Sequence, residues 1–71
     1  MTFKDLELTA KVKGAIAEKA GLGEAMHIDV NVHNGVVDLK GDVDKDAHDK
    51  VIQVAREVDG VTSIEDHLNI K

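Results

Sequence analysis

The sequence has 71 residues, no cysteine, no proline and one aromatic residue, Phe3; its formal net charge is −5, from 14 acidic and 9 basic side chains. That length holds a single domain, expected over residues 1–71, and a hydrophobic content of 42% is enough for an aliphatic core and too high for a disordered tail. An acidic chain with no Trp or Tyr and a single Phe argues against general nucleic-acid binding; no apolar run reaches the length of a membrane span, and the first residues lack the apolar core of a signal peptide.

Thr2 followed by Asp5 forms a variant capping box, with Asp in place of the usual Glu. Leu8, Val12, Ala15, Ile16 and Ala20 recur at helical spacing, so a first helix is expected over about residues 4–20, stopping at Gly21. Glu7 and Lys11 form a favourable i,i+4 pair on its outer side. Gly14 falls inside this helix at a cost of about 1 kcal/mol relative to alanine, which implies a close neighbour. Leu22 to Met26 reads as a short connection.

The stretch from Ile28 to Val43 organises the rest. Asn34-Gly35 at its middle is a strong hairpin signal, because a type I′ turn requires positive φ at both central residues. Strands are expected over about residues 27–33 and 36–42, with His33 opposite Val36, Val32 opposite Val37, Asn31 opposite Asp38, Val30 opposite Leu39 and Asp29 opposite Lys40. This register puts Ile28, Val30, Val32, Val37, Leu39 and Val43 on one face, and a one-residue slip would turn them all to water. Gly41 and Gly60, like Asn34 and Gly35, are assigned structural roles.

Asp44 is placed to cap a second helix, whose positive N-terminal end suits Asp46 and Asp49. Ala47, Val51, Val54, Ala55 and Val58 make its apolar stripe, and Gly60 is expected at the C′ position just beyond its end. Thr62, Ile64, Leu68 and Ile70 then share one parity in a third strand. Asp66 breaks that pattern, so either the strand bulges or Asp66 binds a backbone donor at the sheet margin. The order α-β-β-α-β predicts an α+β fold: a two-layer sandwich with two helices on one face of a three-stranded mixed sheet. The other sheet face, with Asp29, Asn31, His33, Asp38, Lys40, Glu65, His67 and Asn69, is expected to be wet.

Little in the chain forces a chemistry. His27 and His33 lie roughly 20 Å apart along one extended strand and cannot share an ion, and no set of four convergent ligands is visible. The segment opening at Asp42, Asp44 and Asp46 starts like a calcium loop, but Ala47 replaces the required glycine and Gln53 the bidentate glutamate. The hydroxyls of Thr2, Thr9, Thr62 and Ser63 sit in no nucleophile motif. No catalytic residue, cofactor or metal ligand is therefore assigned. Basic charge gathers on the first helix, where Lys4, Lys11 and Lys13 are the expected lipid contacts.

Several segments together resemble the BON domain family, named for bacterial OsmY and nodulation proteins: Asp5-Leu6, Lys11-Val12-Lys13, the run Asn34-Gly35-Val36-Val37-x-Leu39-x-Gly41-x-Val43, Val58-x-Gly60-Val61 and Leu68-x-Ile70. The resemblance spans nearly the whole chain; Asp66 stands where the family commonly has Asn. It implies a non-catalytic binding module associated with phospholipid membranes, the cell envelope and osmotic stress, and it carries no catalytic residue. Its expected partner is a phospholipid surface or an envelope protein. The alternative is a protein-interaction or weakly homo-oligomeric domain using the exposed sheet face or a sheet edge. The expected compartment is the periplasm or envelope if a signal peptide has been removed, and otherwise the cytoplasm.

Overall fold

The computed structural model describes residues 2–71. Its elements run α1 (Phe3–Ala20), α2 (Leu22–Met26), β1 (Ile28–His33), β2 (Val36–Val43), α3 (Lys45–Glu57) and β3 (Ser63–Ile70). The sheet order is β1-β2-β3, with β1 antiparallel and β3 parallel to the central β2. The expected two-layer α+β architecture is present. The one added element is α2, a single helical turn where a plain connection was expected.

The N-terminal cap has both halves of the reciprocal box: the Asp5 N–H donates to Thr2 Oγ1 (3.2 Å), and the Thr2 N–H donates to Asp5 Oδ2 (3.3 Å). Glu7 and Lys11 form the expected pair, at 3.5 Å. Leu8, Val12 and Ile16 face the core. Gly14 has no such packing reason. Among the described residues, nothing lies within 4 Å of where its Cβ would stand. Only the propensity term remains, so Gly14→Ala should raise stability by about 1 kcal/mol. A thermal melt no higher than that of the wild type would show that this helix gains nothing from the methyl group.

Asn34 (φ 52°) and Gly35 (φ 81°) both have the positive φ of a type I′ turn. The β1–β2 register matches the expected one pair by pair and extends to Ile28 opposite Gly41. Asp44 caps α3, its Oδ1 accepting from the Ala47 N–H at 2.7 Å. That helix ends earlier than expected, with Val58 as its C-cap, so Gly60 is not the C′ residue. Instead the Val61 N–H donates to the Val58 carbonyl, and Gly60 (φ 100°) takes the third position of that four-residue turn, the place a type II turn reserves for glycine. Thr62 precedes the strand rather than joining it, and its N–H donates to the Gly35 carbonyl at 2.9 Å. The hairpin turn and the entry to β3 are thereby tied together.

The core holds Val12, Ile16, Val37, Leu39, Val43 and Val51 as its largest fully buried side chains. The helices share one sheet face: α1 packs against β1 and α3, and α3 against β2 and β3. β3 pairs with β2 without interruption from Ser63 to Ile70, so no bulge accommodates Asp66. Its Oδ1 accepts from the Leu68 N–H (3.0 Å), and its Oδ2 lies 2.5 Å from His48 Nε2 on α3. His48 Nδ1 is 2.9 Å from Asp49 Oδ1.

Both ring nitrogens of His48 thus face carboxylates. The hydrogen bond to Asp66, then that to Asp49, raises the His48 pKa above its ordinary 6.5, while His48 holds Asp66 below 3.8. A raised histidine pKa contributes stability that is complete below 6.5 and is lost as pH climbs through the folded-state value. A lowered aspartate pKa contributes stability present above 3.8 and lost as pH falls through its own. The pair is therefore strongest between those two ordinary values. Melting temperature should fall for the wild type from about pH 5.5 to about pH 8.5, with a smaller fall in His48→Gln. Parallel profiles would mean that the clasp adds nothing to stability.

Candidate binding surface on the first helix

At 3.6 residues per turn, each residue of α1 advances by about 100°. Leu8, Val12 and Ile16 point to the sheet, which turns Phe3, Leu6, Ala10 and Gly14 outward. Phe3 is 83% exposed and Leu6 55%. The domain's one aromatic side chain is therefore left out of an aliphatic core. Lys4 and Lys11, seven residues apart, lie within about 20° of each other on one flank of this apolar strip. Lys13 is about 160° further round from Lys11, on the other flank. The structure thus brings Lys4 and Lys11 together and places Lys13 across the strip from them, all three exposed. Glu7, which pairs with Lys11, lies between the strip and the first two lysines. Leu22 and Met26 on α2 are also exposed.

Below Phe3 and Lys4 the chain forms a cleft of about 760 Å³, walled by Leu8 and Lys11 on one side and by Gly35, Gly60 and Thr62 on the other. Both glycines have a fixed place here. A Cβ on Gly35 would stand 2.9 Å from Thr62 Oγ1, and one on Gly60 would touch Leu8 Cδ1 at 3.5 Å. Asp5 is buried beside the cleft. The Thr2 backbone N–H above all, aided by the Thr2 hydroxyl, the Asn34 backbone and the His33 ring, holds the Asp5 carboxyl below its ordinary value. Asp5 thus stands as an anion at the start of α1, on the cleft that Asn34 also lines.

The aspartates near Asp42 take the structural roles expected of them: Asp42 is in β2, Asp44 is the cap and Asp46 is in the first turn of α3. Among the described residues, no helix is long and apolar enough to cross a membrane.

The BON domain family model matches residues 4–71. The chain belongs to the BON family. This BON domain is 35% identical over 68 residues to the osmotically-inducible protein Y of Escherichia coli (strain K12), a match that covers 94% of the chain and 33% of that relative. It spans about a third of the relative's length. Its fold is similar to a solved structure, the C-terminal domain of CdsD, the structural protein of the type III secretion system of Chlamydia trachomatis. The TM-score is 0.74 at 16% identity, over 94% of this chain and 33% of that one. At that identity the likeness concerns the fold alone.

Proposed function

We propose that this BON domain is a non-catalytic binding module that docks on a phospholipid surface of the cell envelope through the outward face of α1. The observation that carries this reading is Phe3, exposed beside Leu6 on a strip with Lys4 and Lys11 on one flank and Lys13 on the other. Apolar side chains that enter the headgroup region and cations that meet anionic lipid make a one-sided interfacial surface. Each lysine is worth about 1 kcal/mol near such a surface, and Phe3 up to about 3 kcal/mol if fully buried. The net charge of −5 opposes approach, so binding is weak, orientation-dependent and sensitive to salt. The family membership and the osmotically inducible relative support an envelope setting.

Co-sedimentation with vesicles of phosphatidylglycerol and phosphatidylcholine tests this. Replacing Lys4, Lys11 and Lys13 together with Gln should nearly abolish low-salt binding, and Phe3→Ser with Leu6→Ser should reduce it at every salt concentration, both with melting temperatures almost unchanged. Vesicle binding indifferent to both sets would remove α1 as the contact surface. No wild-type binding at low salt, together with concentration-dependent self-association, would replace the lipid reading with protein interaction through the sheet.

A further inference from the structure

The outer sheet face carries a group of donors that no strand shows by itself. Asp38 lies on the central β2, Glu65 is its register partner on β3, and His67 follows two residues along on the same face. One ligand atom from each lies within 4.8 Å of the others. His67 Nε2 is 3.3 Å from Glu65 Oε2 and 3.9 Å from Asp38 Oδ1. Ligands at zinc distances in a tetrahedral arrangement stand about 3.4 Å apart. The imidazole–glutamate spacing already fits, and Asp38 stands about 0.5 Å too far from the imidazole for that geometry.

A second observation singles out the same point. Asp38 Oδ1 is buried and, among the described residues, is the one buried side-chain polar atom without a hydrogen-bond partner. The exposed His67–Glu65 pair accounts for those two side chains but leaves that oxygen without a hydrogen bond. An unpaired buried acceptor is costly, and a cation would satisfy it.

We propose that Asp38, Glu65 and His67 form a three-ligand site for a divalent transition ion of the zinc class, with water in the remaining position. The imidazole favours such an ion over magnesium or calcium, which prefer shells of oxygen. Lys40, opposite His67 in register, is exposed, and its long chain can turn its ammonium into solvent. Two of the three ligands share a strand and the third is its direct neighbour, so the sheet holds their backbones in place without a loop to order.

The test is zinc chloride titrated into the 71-residue chain, followed by calorimetry and by the imidazole NMR signals. The expected result is one zinc per chain, movement of the His67 ring signals, and no response to magnesium. His67→Gln and Asp38→Asn should each weaken zinc binding by about tenfold or more, since even changes around a ligand reach that scale. His33→Gln, on the same face, should bind as the wild type does. All of these side chains lie on the outer face, and folding of each variant is checked by its melt. Absence of zinc binding, signals that move at His27 or His33 but not at His67, or undiminished binding in His67→Gln would each overturn the proposal.

Discussion

Gly41→Ala is expected to destabilise the domain by roughly 3–5 kcal/mol, the range of backbone strain plus a clash that nothing can relieve. Gly41 has φ 141°, and a Cβ there would clash with the His27 carbonyl oxygen, far inside van der Waals contact, and lie 3.3 Å from Ile28 Cα. Both obstacles are backbone. His27 cannot readily retreat, because its N–H donates to the Glu24 carbonyl at the end of α2. Relief would require β1 to peel away from β2 at its first pair, Ile28 opposite Gly41. Domains of this length have a total stability of roughly 4–11 kcal/mol, so the variant should be partly unfolded at room temperature. The same substitution at Gly14 is expected to act in the opposite direction. If the two alanine variants melt alike, the close approach of β1 to β2 at Gly41 is not real.

Leu39→Ala should cost about 2–5 kcal/mol. Leu39 is fully buried on the central strand, between Val30 on β1 and Asp66 on β3, where both helices close over the sheet. Its neighbours belong to regular elements on both sides, so the vacated space cannot collapse readily. Val54→Ala on α3 removes less volume from a position near the core margin and should cost less. Urea titrations should show both midpoints shifted with similar slopes, Leu39→Ala further. A neutral Leu39→Ala would reject the two-layer packing.

The fold was legible where local chemistry and hydrophobic period agree. Asn34-Gly35 set the turn, the turn set the register, and the register put every alternate aliphatic residue on the helix side. Thr2 and Asp44 marked where two helices begin. The misreadings lie where one residue type serves several geometries. Gly60 has the positive φ expected of it, but in a turn beyond the helix end. Gly14 fills no packing role, and Leu22 to Met26 contains too few residues for periodicity to distinguish a helical turn from a connection. Asp66 was recognisable as an exception within its strand, and its backbone donor was among the alternatives. Its partner His48 was not recognisable, because that pairing depends on how α3 lies over β3. The candidate site divides in the same way. Lysines on α1 were visible in the sequence, but their distribution around Phe3 follows from which helix face is buried. The Asp38, Glu65 and His67 group needs the parallel register of β2 and β3, which spacing along a single strand does not reveal.

The carboxylate of Asp66 also bears on how copies of this chain can meet. The Lys71 N–H donates to the Val43 carbonyl, so by alternation the Leu68 N–H faces away from β2, toward the open side of β3. Asp66 already occupies that donor. A strand arriving there would have to displace an anion and then lie beside it, the kind of obstacle that blunts sheet edges. Continuous edge-to-edge polymerisation needs two receptive margins on every copy, and Asp66 blunts one of them. Strand addition is therefore disfavoured at the β3 margin, and edge-to-edge growth loses one of the two ends it needs.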